Sequence, residues 1–214
     1  MKKSKKGGRF ERFAYALFAP LFRLILRVKL RGGEHIPREG GAIVAVNHIS
    51  FLDAIAVAAA LPRHPRYLAK AELFRIPLLS SVIRAFGATP LDRGKSDVGA
   101  IRRAIAIAEG GELLTLFPQG TLQKGKNPAD TPIKSGVAMI AARAGVPIIP
   151  VCIKLKNNRY AFLRRTEIIV GEPLSLKDLG LTTDDADYRA AAKEAFRSLC
   201  ALGGYLPTRE EAEA

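Results

Sequence analysis

Apolar residues recur along the chain in two patterns from about residue 39 onward. Short apolar runs, typical of buried strands, alternate with longer segments whose apolar positions repeat at helical spacing. The predicted strands cover residues 41–46, 66–69, 113–117, 146–153 and 168–170, and the predicted helices cover residues 53–61, 98–109, 134–144 and 186–202. This alternation predicts an α/β domain. Pro147 and Pro150 predict that the fourth strand lies at an edge of the sheet or is irregular.

The first thirty residues follow a different pattern. Six Lys and Arg residues precede an apolar stretch at 13–22, which Arg23 interrupts. A membrane-spanning helix needs about 20 predominantly apolar residues, whereas this uninterrupted run has ten. A secretory signal is not favoured either, because no small-residue cleavage site follows the run.

We therefore predict an amphipathic helix that lies in a membrane interface. Phe13, Phe18 and Phe22 would enter the acyl boundary, and Arg23 would face anionic headgroups. The alternative is an amphipathic helix that covers the domain's own core. The two interpretations are compatible if one face packs against the protein and the other contacts lipid.

The charge balance supports a membrane partner. The chain carries 34 Lys and Arg against 20 Asp and Glu, a formal net charge of +14, which predicts an anionic membrane or nucleic acid as partner. Residues 1–38 account for +9 and residues 172–214 for −4. Because the positive charge concentrates beside an apolar aromatic run and no nucleic-acid-binding signature is present, we expect an anionic membrane and no nucleic acid. A non-catalytic basic module that binds lipid or nucleic acid is the alternative.

These patterns divide the chain into three parts. They are a basic N-terminal segment with the interfacial helix at 1–30, the α/β domain at 31–205, and an acidic C-terminal tail at 206–214. Cys152 and Cys200 lie far apart in the sequence, which favours free thiols in a reducing compartment. The three histidines are scattered along the sequence, so no metal site is predicted.

One histidine stands where α/β domains commonly place their sites. His48 follows the first predicted strand directly, and Asp53 comes five residues later at the start of the first helix. If the chain turns between them, the carboxylate can bond one ring nitrogen and leave the other to take a proton from a substrate hydroxyl. An isolated pair with this spacing also fits a helix-capping Asp beside a surface His.

Three further blocks follow the block at 47–53, namely residues 87–93 (GATPLDR), 117–121 (FPQGT) and 146–151 (VPIIPV). Together the four blocks, in this order, resemble the glycerolipid acyltransferase family that contains the 1-acyl-sn-glycerol-3-phosphate acyltransferases. The resemblance covers most of residues 29–171. It implies a single acyltransferase domain with a central mixed sheet flanked by helices, preceded by an N-terminal membrane-binding helix.

The resemblance also implies roles for individual residues. His48 would deprotonate the glycerol hydroxyl of a lysolipid, Asp53 would orient His48, and Arg93 would hold the acceptor's phosphate. The remaining candidate contacts with substrate are Gln119, Gly120, Thr121, Lys70 and Lys134, the backbone N–H groups of Gly120 and Thr121 facing a phosphate or an oxyanion. The acyl donor would be acyl-CoA or acyl carrier protein, and no cofactor is required. We expect a peripheral or monotopic protein on the cytoplasmic face of the cell membrane.

The third block departs from the family pattern, which usually reads Phe-Pro-Glu-Gly-Thr-Arg. Here Gln119 stands in place of the glutamate and Leu122 in place of the arginine. Gln keeps hydrogen-bonding capacity but loses the charge, and a leucine side chain cannot bind phosphate. Two accounts fit: Lys124 or Lys126 replaces the missing charge, or the acceptor is another lysolipid, such as a lyso-ornithine lipid or a lysophospholipid.

Overall fold

A computed structural model describes residues 9–91, 97–161, 164–183 and 185–208. The helices in these ranges are α1 Arg9–Ile25, α2 Leu52–Ala60, α3 Pro77–Ala85, α4 Asp97–Glu109, α5 Gly136–Ala144 and α6 Tyr188–Gly203. The strands are β1 Val28–Arg31, β2 Ala42–Val46, β3 Arg66–Lys70, β4 Ala88–Leu91, β5 Leu113–Leu116, β6 Ile148–Lys154 and β7 Thr166–Val170. All the strands and helices predicted between residues 41 and 202 are present, with ends shifted by at most two residues.

The strands form one sheet in the order β1-β7-β6-β2-β5-β3-β4. From β6 to β4 the neighbouring strands are parallel, whereas β7 pairs antiparallel with β6 and β1 pairs parallel with β7. The sheet is therefore mixed, and the predicted fold class is confirmed. Because the parallel strands run in one direction, the carboxyl ends of β2, β5 and β3 meet at one edge, which we call the catalytic edge.

Strand β2 shows why helices cover both faces of this sheet. All five of its residues are buried, and successive side chains alternate between two cores, as the pleat requires. Val44 and Val46 pack in the core that contains Val57 of α2. Ile43 and Ala45 pack in the core formed with α4, α5 and α6.

Strand β6 lies inside the sheet, between β7 and β2, so the prediction of an edge strand is wrong. The reason lies at Pro150. Its carbonyl accepts a hydrogen bond from the Gly171 N–H at 2.9 Å, just beyond the end of β7 at Val170. The N–H and C=O of one strand residue point to the same side of the strand, so the N–H that Pro150 lacks would also point toward β7. Because β7 has already ended at this point, the proline removes no hydrogen bond of the ladder to β2.

Helix α1 packs one face on the domain. The Tyr15 hydroxyl donates to the Ala58 carbonyl of α2 at 2.6 Å, and the rings of Phe22 and Phe86 meet edge to face at 5.5 Å. Phe18 packs in the same cluster. Of the predicted lipid-facing aromatics, only Phe13 is well exposed, at 67%, because Phe18 and Phe22 fall on the inward side.

The opposite face of α1 carries an exposed apolar stripe of Phe13, Leu17, Leu21 and Leu24. These positions repeat every three or four residues, so they lie on one side of the helix. Within the described part of the chain, no helix has the length and apolarity needed to cross a bilayer. Strand β1, which follows α1, crosses the boundary predicted between residues 30 and 31 and joins the sheet through β7.

Candidate active site

The end of β2 is fixed by an asparagine. The Asn47 side chain is buried, donates to the Ile153 carbonyl at 3.0 Å and accepts from the Ile153 N–H at 2.7 Å. An amide side chain that meets both backbone groups of one residue substitutes for a ladder pair between β2 and β6. The next residue, His48, is therefore delivered to a defined point at the catalytic edge.

The turn after His48 closes on a single carboxylate oxygen. Asp53 is fully buried in the first turn of α2, and its Oδ2 accepts from the Ile49 and Ser50 N–H groups at 2.6 and 2.8 Å. The same oxygen lies 2.9 Å from His48 Nδ1. These two N–H donors and the positive end of the α2 dipole stabilise the carboxylate as a charge.

This contact assigns the tautomer of His48. A carboxylate oxygen can only accept, so Nδ1 carries the proton and Nε2 holds the lone pair. The histidine side chain is 18% exposed, and its ring stacks on Phe117 with centroids 3.9 Å apart. The ring is thus held in one orientation while an edge stays accessible, as a general base requires.

The turn after β5 holds the backbone of His48 from the other side. The His48 N–H donates to Gln119 Oε1 at 2.6 Å, and the Gln123 N–H donates to the His48 carbonyl at 2.8 Å. Since a backbone N–H must meet the amide oxygen, the Gln119 Nε2 is the group that faces Thr131, and it donates to Oγ1 at 2.6 Å. Thr131 Oγ1 in turn donates to the Pro128 carbonyl. Gln119 therefore bridges the two turns as an acceptor at one end and a donor at the other.

The candidate phosphate contacts lie on the same turn. A side chain at Gly120 would meet Lys134, because an added Cβ would lie 3.0 to 3.3 Å from the Lys134 Cε, Cδ and Nζ atoms. The Lys134 N–H donates to the Pro118 carbonyl at 2.8 Å, which holds this exposed lysine over the turn. Gly120 has a φ of 70°, a conformation that glycine adopts without strain.

One predicted donor is not available. The Gly120 N–H donates to the Phe117 carbonyl at 2.9 Å and closes the turn, so the expectation that it faces an oxyanion is wrong. Thr121 is exposed, and its Oγ1 accepts from Gln123 Nε2 at 3.1 Å. Of the predicted contacts on this turn, the Lys134 ammonium and the Thr121 N–H remain as candidates.

The other predicted cations lie apart from this turn or outside the described residues. Lys70 ends β3 at the catalytic edge, is exposed, and pairs in register with Leu91 of β4. Arg93 follows β4 but lies outside the described ranges. Leu122 is half-buried, and Lys124 is exposed. The structure thus joins His48 directly to Asp53 and Gln119, and the described candidates for phosphate contact, Lys70 and Lys134, are exposed.

Sequence reasoning missed two residues that shape the site. Phe117 stacks on the base, and its place inside the third block was the only signal. Tyr160 is half-buried beside the core that contains Ile49. Burial raises the pKa of Tyr160 well above its usual 10, and the nearby Asp53 carboxylate raises it further. Nothing in the spacing of residues 48, 53 and 160 signals that Tyr160 lies near Asp53.

Comparisons with known proteins agree with this geometry. Residues 27–154 match the family described as Acyltransferase. The chain is 29% identical to a 1-acyl-sn-glycerol-3-phosphate acyltransferase of Bacillus subtilis, over 77% of this chain and 84% of that protein. It is 31% identical to the 1-acyl-sn-glycerol-3-phosphate acyltransferase alpha of Mus musculus, over 75% of this chain and 58% of that protein. The crystal structure of the 1-acyl-sn-glycerophosphate (LPA) acyltransferase PlsC from Thermotoga maritima matches with a TM-score of 0.63 at 26% identity, covering 93% of this chain and 80% of that chain.

Proposed function

The chain belongs to the Acyltransferase family and is an O-acyltransferase, and from that premise we propose that it acylates the free hydroxyl of 1-acyl-glycerol-3-phosphate to give phosphatidic acid. The acyl donor is a thioester, either acyl-CoA or acyl carrier protein. One observation carries the proposal: His48 Nδ1 is 2.9 Å from the buried Asp53 carboxylate, which leaves Nε2 to accept the proton of a hydroxyl. The named relatives in Bacillus and mouse support the choice of acceptor.

The chemistry follows from this tautomer. His48 Nε2 accepts the hydroxyl proton as the acceptor oxygen attacks the thioester carbonyl carbon, so both substrates are bound together. The imidazolium that forms is stabilised by Asp53 through Nδ1–H. When the tetrahedral intermediate collapses, the C–S bond breaks and the imidazolium gives its proton to the leaving sulfur. The products are the ester and the free thiol, with His48 neutral again. No cofactor takes part in this scheme.

The acceptor side of the proposal rests on cations. Lys134 lies over Gly120, and Lys70 and Arg93 are further candidates for the phosphate. Leu122 removes one cation that the family pattern provides, and this supports a second candidate acceptor, a lysolipid whose headgroup carries less negative charge. Lyso-ornithine lipids and zwitterionic lysophospholipids fit that description.

We also propose that the enzyme works at an anionic membrane surface, on the cytoplasmic face. The exposed stripe of α1 supports this, since Phe13 is 67% and Leu24 is 73% exposed, and such a face is costly in water. The basic residues that precede α1 in the sequence would lie at the headgroups.

An acceptor panel tests the proposed function. Purified protein and labelled acyl-CoA are incubated with lysophosphatidic acid, with zwitterionic lysophospholipids and with a lyso-ornithine lipid, and the acylated products are separated. We expect phosphatidic acid as the main product. A panel in which a lyso-ornithine lipid or a lysophospholipid is acylated and lysophosphatidic acid is not would replace the first acceptor by the second. No acyl transfer to any acceptor would contradict both.

A further inference from the structure

A basic groove of about 430 Å³ lies between the end of α1 and strand β1. Four cations line it, Arg23, Arg27, Lys29 and Arg165, together with apolar residues of the same segment such as Leu24. Three of the cations come from residues 23–29, whereas Arg165 comes from the segment that leads into β7. Like charges repel, so a groove in which the exposed Arg23, Lys29 and Arg165 come together from two distant segments favours an anion.

The backbone holds the two sides of the groove together. Arg27 has a φ of 44°, a left-handed turn that sends the chain from α1 into β1. The Arg27 carbonyl accepts from the Thr166 N–H at 3.4 Å, and Val28 then pairs in register with Thr166. The guanidinium groups that flank this pair are therefore brought to the same place by strand pairing.

The groove lies at the catalytic edge of the sheet. Glu167, next to Thr166, pairs with Lys154 at the end of β6, and the preceding residue, Ile153, bonds Asn47 beside the base. The exposed stripe of α1 also ends here, because Leu24 belongs to both the stripe and the groove. A bilayer that receives the stripe would thus present its headgroups to the groove.

We propose that this groove binds the phosphate of an anionic phospholipid of the bilayer, separately from the acceptor at His48. The proposal rests on the membrane association proposed above and adds the place where a headgroup is held. Guanidinium groups suit this ligand because each can donate to two phosphate oxygens. A phosphodiester anchored here would hold the catalytic edge toward the membrane from which a lysolipid is drawn.

Neighbouring arginines provide a matched test. Arg165 lines the groove, whereas Arg164 is exposed and does not. Flotation of the full chain with vesicles of phosphatidylcholine, with and without phosphatidylglycerol, is compared for Arg165→Glu and Arg164→Glu. A basic residue near an anionic surface contributes about fivefold in affinity, so reversing Arg165 should weaken binding to the anionic vesicles roughly thirtyfold. Arg164→Glu should weaken it by about fivefold or less.

Equal losses in the two variants would overturn the groove, since only diffuse charge would then matter. Unchanged binding of Arg165→Glu would overturn it as well. Thermal unfolding of both variants confirms that each is folded. Acyl transfer by the unmodified protein is measured in parallel, so that failure of the proposed function appears in that assay and failure of the groove appears only in flotation.

A second observation concerns the other side of Asp53. Among the described residues, the buried side-chain oxygens without a hydrogen-bond partner are Asp53 Oδ1, Tyr67 OH, Thr115 Oγ1 and Tyr160 OH. Tyr160 packs against the core that contains Ile49 and Ala56, which lie on either side of Asp53 in the sequence. Burial and then the Asp53 carboxylate raise the pKa of Tyr160, and Tyr67, opposite Thr115 in the β3–β5 register, also senses the Asp53 charge.

We infer that Tyr160 is a positioning residue whose hydroxyl donates a hydrogen bond to Asp53 Oδ1. The three donors to Asp53 all meet Oδ2, so Oδ1 is a buried acceptor that needs a donor, and the Tyr160 hydroxyl is a buried donor that needs an acceptor. A bond between them fixes the carboxylate plane and draws part of its charge away from His48. Tyr160 acts through Asp53 and touches no reacting atom.

Removing only the hydroxyl tests this role. In Tyr160→Phe no hydroxyl withdraws charge from the Asp53 carboxylate, so the carboxylate stabilises protonated His48 more strongly. The acidic limb of the pH profile of kcat should therefore move to higher pH. We expect kcat to fall about tenfold with KM unchanged. Tyr67→Phe is the matched control, because it removes a hydroxyl from the same buried layer that faces Thr115. An unmoved limb in Tyr160→Phe, or an equal shift in both variants, would make the assignment wrong.

Discussion

The turn after β2 and the turn after β5 meet at the same base but are built differently. In the first, residues 47–53, the functional side chains are buried or half-buried and held by short hydrogen bonds. In the second, residues 117–123, the interior half holds His48 through Gln119, while the exposed half consists of Gly120 and Thr121 with Lys134 above them. His48 is thus held by buried contacts, whereas the groups proposed to bind the acceptor are exposed. Leu122, where the family pattern has an arginine, is half-buried on this turn.

The largest effect is expected in the first turn. Asp53→Asn keeps the shape but removes the charge that stabilises the imidazolium, and it upsets the tautomer of His48. We expect kcat to fall about a thousandfold while KM for the acceptor changes little. Steady-state kinetics with lysophosphatidic acid measure both constants. Asp187→Asn, at the N-cap of α6, is the control and should leave kcat unchanged, because Asn also caps helices well. A loss below tenfold in Asp53→Asn would remove the distinction between the turns.

The next effect is expected where the turns are joined. Gln119→Glu restores the residue of the family pattern. In this chain, however, Gln119 Nε2 donates to Thr131 Oγ1, and the Thr131 hydroxyl donates its own proton to the Pro128 carbonyl. A carboxylate cannot donate, so either that contact is lost or the Thr131 hydroxyl turns toward the carboxylate and leaves the Pro128 carbonyl with the Thr131 N–H as its remaining donor. We expect the free energy of unfolding to fall by about 1 to 3 kcal/mol at pH 7.

The free energy of unfolding of Gln119→Glu should also depend on pH. Burial disfavours the charged form of Glu, so the loss of stability should be present above the pH at which the unfolded Glu ionises and should shrink below about pH 4. Urea unfolding at the two pH values measures the difference. Gln123→Glu should show a smaller loss, because the Gln123 side-chain amide donates only to the hydroxyl of the exposed Thr121. A Gln119→Glu protein as stable as the parent at pH 7 would show that the bridge does not depend on the amide donor.

A smaller effect is expected on the recognition side. Lys134→Ala removes an ammonium placed over Gly120, so KM for lysophosphatidic acid should rise about tenfold with kcat nearly unchanged. The rise should be less for a zwitterionic lysophospholipid. Lys124→Ala and Lys126→Ala are compared in the same assay. If one of these raises KM and Lys134→Ala does not, the missing charge of the third block is replaced by that lysine instead.

The smallest effect is expected from adding charge. Leu122→Arg places a cation at the position where the family pattern has one. Since this site is only half-buried, the gain should be modest, about a threefold lower KM for lysophosphatidic acid. Leu122→Gln controls for polarity without charge and should leave KM unchanged. A higher KM in Leu122→Arg would indicate that the acceptor carries less negative charge than a phosphomonoester.

The two turns also differ in what the sequence predicted. The strand and helix at 42–60 were predicted because β2 is a continuous apolar run and α2 is rich in alanine. The contact of His48 with Asp53 was predicted from the resemblance of the four blocks to the family, since the spacing alone also fits a helix-capping Asp. Strands β1 and β4 were missed because four-residue strands carry little periodicity. Helix α3 was missed as well. The hydrogen bonds of Gln119 were missed because Thr131 lies twelve residues away in the sequence. The edge position predicted for β6 was wrong because the sequence does not show that β7 ends beside Pro150, where a missing N–H removes no ladder bond.

Transfer of a labelled acyl group to lysophosphatidic acid, measured for the parent protein and for His48→Ala, tests the central claim most directly. His35, at the opposite end of β1 and bonded to the Val170 carbonyl, supplies the control variant His35→Ala. The parent and His35→Ala should form phosphatidic acid at similar rates, and His48→Ala should be slower by about a thousandfold or more while remaining folded. A His48→Ala protein that forms phosphatidic acid at the parent rate would contradict the assignment of His48 as the general base.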